Sequence, residues 1–170
     1  MKMNVRKIVI SGMLTALAVA LSTFSIPIGA SRCFPVQHMV NVIAGVFLGP
    51  VYGVAMAFVT SLIRNLMGTG SLLAFPGSMV GAFLCGLAYR KTGRLAAAYA
   101  GEIIGTGILG GLLCYPVAAF LMGKEVAVFF YVMPFLLSTI CGTAAAAVLT
   151  GVLCHSGAFD YLRQLVKAGN

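Results

Sequence analysis

Apolar residues run in long, almost uncharged stretches along nearly the whole chain, interrupted by short clusters of glycine, proline and charge. A helical run of about 18 or more such residues is long enough to cross the hydrocarbon core of a bilayer. The interruptions fall at Gly29 to Pro35, Gly49-Pro50, Gly68-Thr69-Gly70, Arg90 to Arg94 and Met122 to Glu125. Between them the pattern predicts six transmembrane helices, at 8–28, 37–48, 51–67, 75–89, 95–121 and 126–155.

The break at Gly49-Pro50 decides between six crossings and five, because Met39 to Ile63 read without it is a single span. Glycine favours a reversal and proline is accepted at the first position of a helix. Charge agrees, since cytoplasmic loops collect Lys and Arg. Six crossings put Lys2, Arg6, Lys7, Arg90, Lys91, Arg94, Arg163 and Lys167 on the cytoplasmic side with both termini, leaving Arg32 and Lys124 outside. Five would place the Arg90 to Arg94 cluster outside. The second helix then measures only about 18 Å at 1.5 Å per residue, against a hydrocarbon core of about 30 Å. Short helices and irregular backbone persist at membrane depth when buried in protein or lining a cavity. A pocket is therefore expected in the region from Gly29 to Gly77.

Composition narrows the class further. Hydrophobic residues make up 61% of the chain and charged residues 8%, where soluble domains carry about a quarter charged. The expectation is an all-α integral membrane protein of the cell membrane, a single transmembrane domain over 1–170. The first run reads as a span and not as a cleaved leader, because it is longer than the roughly 7 to 15 residues of a signal core and ends in no clear cleavage site. The net charge of +8 does not point to nucleic acid, because the positive residues lie between apolar runs. The five cysteines are odd in number and widely spaced, which suits small packing residues and neither a disulfide framework nor a metal site.

Ionisable side chains within spans are costly and raise a functional-site hypothesis. Here they are His38, Arg64 and Glu102. His38 and Arg64 fall in the outer half, with Gln37, Asn41 and Asn65 beside them, a set of donors and acceptors able to orient a small polar ligand. Tyr115 and Tyr131, near Phe129 and Phe130, offer aromatic faces, Ser138 completes the candidate set, and Pro134 is expected to kink the last helix. The competing structural readings are that Arg64 snorkels to the headgroups, His38 caps a helix and the aromatics form an interfacial belt. Glu102 lies about 10 Å in from the cytoplasmic end of the fifth helix. Pairing with Arg64, pairing with Arg90 or Arg94, and a neutral carboxyl all remain open for it. With only three acidic residues, the chain lacks the paired groups of most membrane-embedded enzymes, and neither catalysis nor a cofactor is expected.

Gly105, Gly107 and Gly110 match the dinucleotide fingerprint, but no strand precedes them. With Gly101 and Gly111 they are better suited to close helix approach. Gly123-Lys124 lacks the remainder of a P-loop, so energy must come from partners or a gradient. Gly12, Ala16 and Ala20 recur every four residues, forming a smooth stripe for a helix partner, internal or external.

Several segments carry a family resemblance: Cys33-Phe34-Pro35-Val36-Gln37-His38-Met39, Leu48-Gly49-Pro50, Ser61 to Asn65 with Gly68-Thr69-Gly70, and Ala74-Phe75-Pro76-Gly77-Ser78. In these the chain resembles the ThiW group of substrate-binding S components of energy-coupling factor (ECF) vitamin transporters. The resemblance implies an S-component-like bundle that captures a thiamine precursor, hydroxyethylthiazole above all, at an outer-facing pocket. It also implies docking on a transmembrane ECF coupling protein driven by two ATPases, with transport by reorientation in the membrane. Ala16 and Ala20 fit the A-x-x-x-A motif through which that class meets the coupling protein, which moves the stripe toward an external partner. An S component for a different vitamin and a stand-alone transporter are the alternatives.

Overall fold

The computed structural model describes residues 4–23, 25–28 and 31–167, and does not describe the side chains of Pro27, Ile28, Ser31, Arg32 and Lys167. Lys2 and Gly29, used above for charge and for a break, lie outside the described residues. The regular elements of the described chain are helices apart from one small hairpin: α1 (Val5–Ala20, continued by a 3-10 turn at Leu21–Thr23), β1 (Ile26–Ile28), β2 (Ser31–Cys33), α2 (Pro35–Phe47), α3 (Pro50–Leu66), α4 (Ala74–Thr92), α5 (Leu95–Leu121), α6 (Val132–His155) and α7 (Ala158–Lys167). Val5–Thr23, α5 and α6 are each long and apolar enough to cross a membrane.

Four local outcomes differ from the pattern. The first helix stops at Thr23 instead of 28, because Pro27 has no N–H to continue it and holds Ile26 extended. Ile26 and Cys33 pair across the resulting antiparallel hairpin. The last long helix starts at Val132 rather than 126, so Pro134 sits in its first turn, where no intrahelical bond is lost. The proline inside a helix is instead Pro116 of α5, next to π-type turns over Val117–Leu121. Finally, α7 follows the predicted elements and buries Phe159 and Val166 against the bundle.

Gly49, at φ +88°, makes the reversal between α2 and α3, and Pro50 opens α3. Gly123, at φ +61°, ends α5, where the Lys124 N–H returns to the Ala118 carbonyl. From α1 to α6 the helices alternate in direction. One end of the bundle gathers the hairpin, the start of α2, the α3–α4 turn and the 122–131 segment. The other gathers the α2–α3 and α4–α5 turns with α7, and Arg6 Nη1 donates to the Leu165 carbonyl there.

The shortest of these six helices is the innermost. No residue of α2 is exposed, and it packs against α3, α4, α5 and α6. The outer helices turn apolar side chains outward instead: Val9, Met13 and Leu17 on α1, Phe58 and Leu62 on α3, Ile104 and Ile108 on α5, Val148 and Val152 on α6. Burial of polar groups inward and apolar groups outward is the distribution a lipid solvent favours.

Glycines bring the helices together. A β-carbon on Gly105 would stand 2.7 Å from Gly81 Cα, one on Gly101 2.7 Å from the Leu84 carbonyl oxygen, and one on Gly110 2.6 Å from Gly77 Cα. All three face α4. Their spacing of four and then five residues follows the wider π-type turns of Ile103–Gly110. Gly107 and Gly111 face α6 in the same way, against Leu136 and Val132.

Candidate functional site

At the hairpin end, a cavity of about 650 Å³ opens between the start of α2, the α3–α4 turn, the first turns of α4 and α6, and the 122–131 segment. That size is within the range of small-molecule sites, roughly 300 to 1,000 Å³. Of the candidate residues, Gln37, His38, Arg64, Tyr131 and Ser138 line it.

Arg64 ends α3 with 1% of its surface exposed, so it does not snorkel. Its guanidinium lies 4.1 Å from the centre of the Phe34 ring, its Nη1 donates to Gln37 Oε1, and its Nη2 donates to the Thr69 carbonyl at 3.3 Å. The same turn is tied back to Arg64 through its own carbonyl, which accepts the N–H groups of Thr69 and Gly70 at 3.0 and 2.9 Å. Among the described residues no carboxylate pairs with this cation.

His38 joins the cavity to the buried interior. Its Nδ1 lies 3.2 Å from Glu102 Oε1, which also accepts from Asn41 Nδ2 at 3.2 Å and Thr106 Oγ1 at 3.0 Å. Neither Arg64, Arg90 nor Arg94 is the partner of Glu102. The short α2 accounts for this: His38 lies nine residues before Phe47, about 14 Å from the far end of the bundle, near the depth of Glu102.

Asn41 is wholly buried, bonded to Glu102 and to the Ser78 carbonyl, beneath the cavity lining. Asn65 donates to the carbonyls of Ser61 and Ser71 at 2.8 and 3.0 Å, bracing the α3–α4 turn. Tyr115 lines a separate shallow hollow with Lys124 and Glu125. Ser138 accepts the Phe34 N–H at 2.9 Å and so fixes the start of α2 against α6. The sequence reading passed over Phe34, Lys124 and the Gly68–Ser71 turn as lining residues. The clue for Phe34 was its place three residues before the polar Gln37-His38 pair; for Lys124 it was a charge that, with Glu125, interrupts two apolar runs.

The wall thus combines a buried cation, an imidazole, a side-chain amide, hydroxyls and the aromatic faces of Phe34, Phe130 and Tyr131. The chain matches, over residues 8–156, the family model described as thiamine-precursor transporter protein (ThiW). It belongs to the ThiW family. The match runs from α1 to the end of α6, cavity included, and stops at the α6–α7 junction. ThiW is a transporter family, in keeping with a membrane protein that surrounds a small-molecule cavity. No curated protein matches the chain in sequence.

Two further expectations meet the structure. Gly12, Ala16 and Ala20 are all exposed on α1, and a β-carbon on Gly12 would meet nothing within 4 Å. The stripe is therefore not packed inside this chain. All five cysteines are free thiols, with Cys85 and Cys114 wholly buried between helices.

Proposed function

We propose that this chain is the substrate-capture (S) subunit of an ATP-driven ECF importer and holds a thiamine precursor, hydroxyethylthiazole or a close derivative, in the hairpin-end cavity. The observation that carries the reading is a cavity of small-molecule size, with aromatic faces and convergent donors, inside a ThiW-family bundle. A thiazole offers a flat ring for the aromatic faces of Phe34 and Tyr131, and its ring nitrogen and hydroxyethyl arm suit donors such as Arg64 and His38.

Six helices cross the membrane in this reading, with α2 shielded by its neighbours. Arg6, Lys7, Arg90, Lys91, Arg94 and Arg163 cluster at the end away from the cavity, so the positive-inside rule puts that end and both termini in the cytoplasm. The cavity then opens outward. The exposed Gly12, Ala16 and Ala20 stripe suits close packing against a helix of the coupling protein.

Binding of labelled hydroxyethylthiazole and of thiamine to the purified chain tests the substrate. Uptake into vesicles with and without the coupling protein and its ATPases tests the assembly. Capture of the thiazole, with uptake only when the coupling module and ATP are present, is the expected result. Thiazole-independent behaviour would sink the substrate assignment, and uptake by the chain alone would sink the coupling.

A further inference from the structure

The charged groups in the cavity wall are all cationic. Arg64 and Lys124 line it, His38 adds an imidazole, and no Asp or Glu is among the lining residues. Arg64 is 1% exposed, has no carboxylate within salt-bridge distance among the described residues, and leaves its Nε without a hydrogen-bond partner. Of the carboxyls at or near this end, Glu102 already meets His38, Asn41 and Thr106, and Glu125 lies in the separate hollow beside Tyr115 and is not among the cavity's lining residues. An isolated buried cation is costly, and what normally offsets that cost is an opposite charge with matching hydrogen bonds. Gln37 and the Thr69 carbonyl supply acceptors but no charge.

We infer that the Arg64 end of the cavity is an oxyanion subsite, so that the preferred occupant carries a compact anionic group, a phosphate monoester or a carboxylate, attached to its flat ring. The guanidinium is a planar fork suited to two parallel bonds with such a group, and Lys124 adds a point charge at the cavity wall. The inference rests on the thiamine-precursor reading only for the ring. In that setting it names hydroxyethylthiazole phosphate, or a thiazole carboxylate, over the neutral alcohol.

The wild-type chain in detergent, titrated with the thiazole alcohol, its phosphate ester, a thiazole carboxylate and phenyl phosphate, gives the decisive comparison. At least one anionic thiazole should bind 10-fold or more tighter than the alcohol, with a preference that shrinks as salt is raised. Arg64→Gln should erase that preference, a loss on the order of 100-fold for the anion, whereas Arg64→Lys should keep part of it. Equal affinity for alcohol and anions in the wild type would overturn the inference whatever the variants do, so a variant that fails to fold does not shield it. Should no thiazole bind while phenyl phosphate does so through Arg64, the subsite stands and the precursor reading falls. Binding of neither class overturns both.

Discussion

Removing the Glu102 carboxyl takes an acceptor away from three groups at once: His38 Nδ1, Asn41 Nδ2 and Thr106 Oγ1. Buried donors left without partners cost about 1 to 3 kcal/mol each, and relaxation recovers part of the sum. Glu102→Ala is therefore expected to destabilise the protein by about 3 kcal/mol. Glu102→Gln, whose amide oxygen can still accept from Asn41 and Thr106, should lose clearly less. Thermal unfolding in detergent compares the two, and equal losses would mean that the acceptor is not what holds α2 to α5. At this scale the sequence marked the ionisable residues that the fold buries but not their partners. His38, Arg64 and Glu102 stood out because charge is rare in apolar runs. Their pairing depended on depth, which the start and length of α2 set.

Close approach of α4 and α5 depends on glycines with no room for a side chain. A β-carbon on Gly105 would fall 2.7 Å from Gly81 Cα, a backbone atom that cannot swing aside. Gly105→Val should cost about 1 to 3 kcal/mol through overpacking, measured as a lower unfolding temperature in detergent. Gly151→Ala, on an open face of α6, should be neutral or slightly stabilising. The glycine face was legible because small residues recur at helical spacing, and so was the break at Gly49-Pro50. The early end of α1 and the late start of α6 were not, for a common reason, whereas α7, polar and amphipathic, lies outside the apolar runs altogether. Apolar residues look alike in a strand, a loop segment and a span, and Pro27 and the Val126 to Tyr131 stretch lay inside runs that hydrophobicity alone extends.

Taken as a whole, the bundle has one cation-rich end and one end that holds the cavity, and two experiments address what each end faces. In a cysteine-free background, Lys124→Cys should react with a membrane-impermeant thiol reagent added to intact cells, and Arg94→Cys should not. The reverse pattern would invert the proposed orientation. Ala16→Trp with Ala20→Trp should abolish uptake and leave ligand binding unchanged, because the stripe is exposed and sits apart from the cavity lining. Loss of binding would show instead that α1 is coupled to the pocket. The most direct test of the central claim is calorimetric titration of the purified chain with hydroxyethylthiazole and its phosphate, repeated on Ala74→Trp, which fills the cavity from the first turn of α4. Saturable binding at one site per chain, abolished by Ala74→Trp in a protein that unfolds at the wild-type temperature, is the predicted result. Absence of saturable binding, or binding that survives the filled cavity, would contradict it.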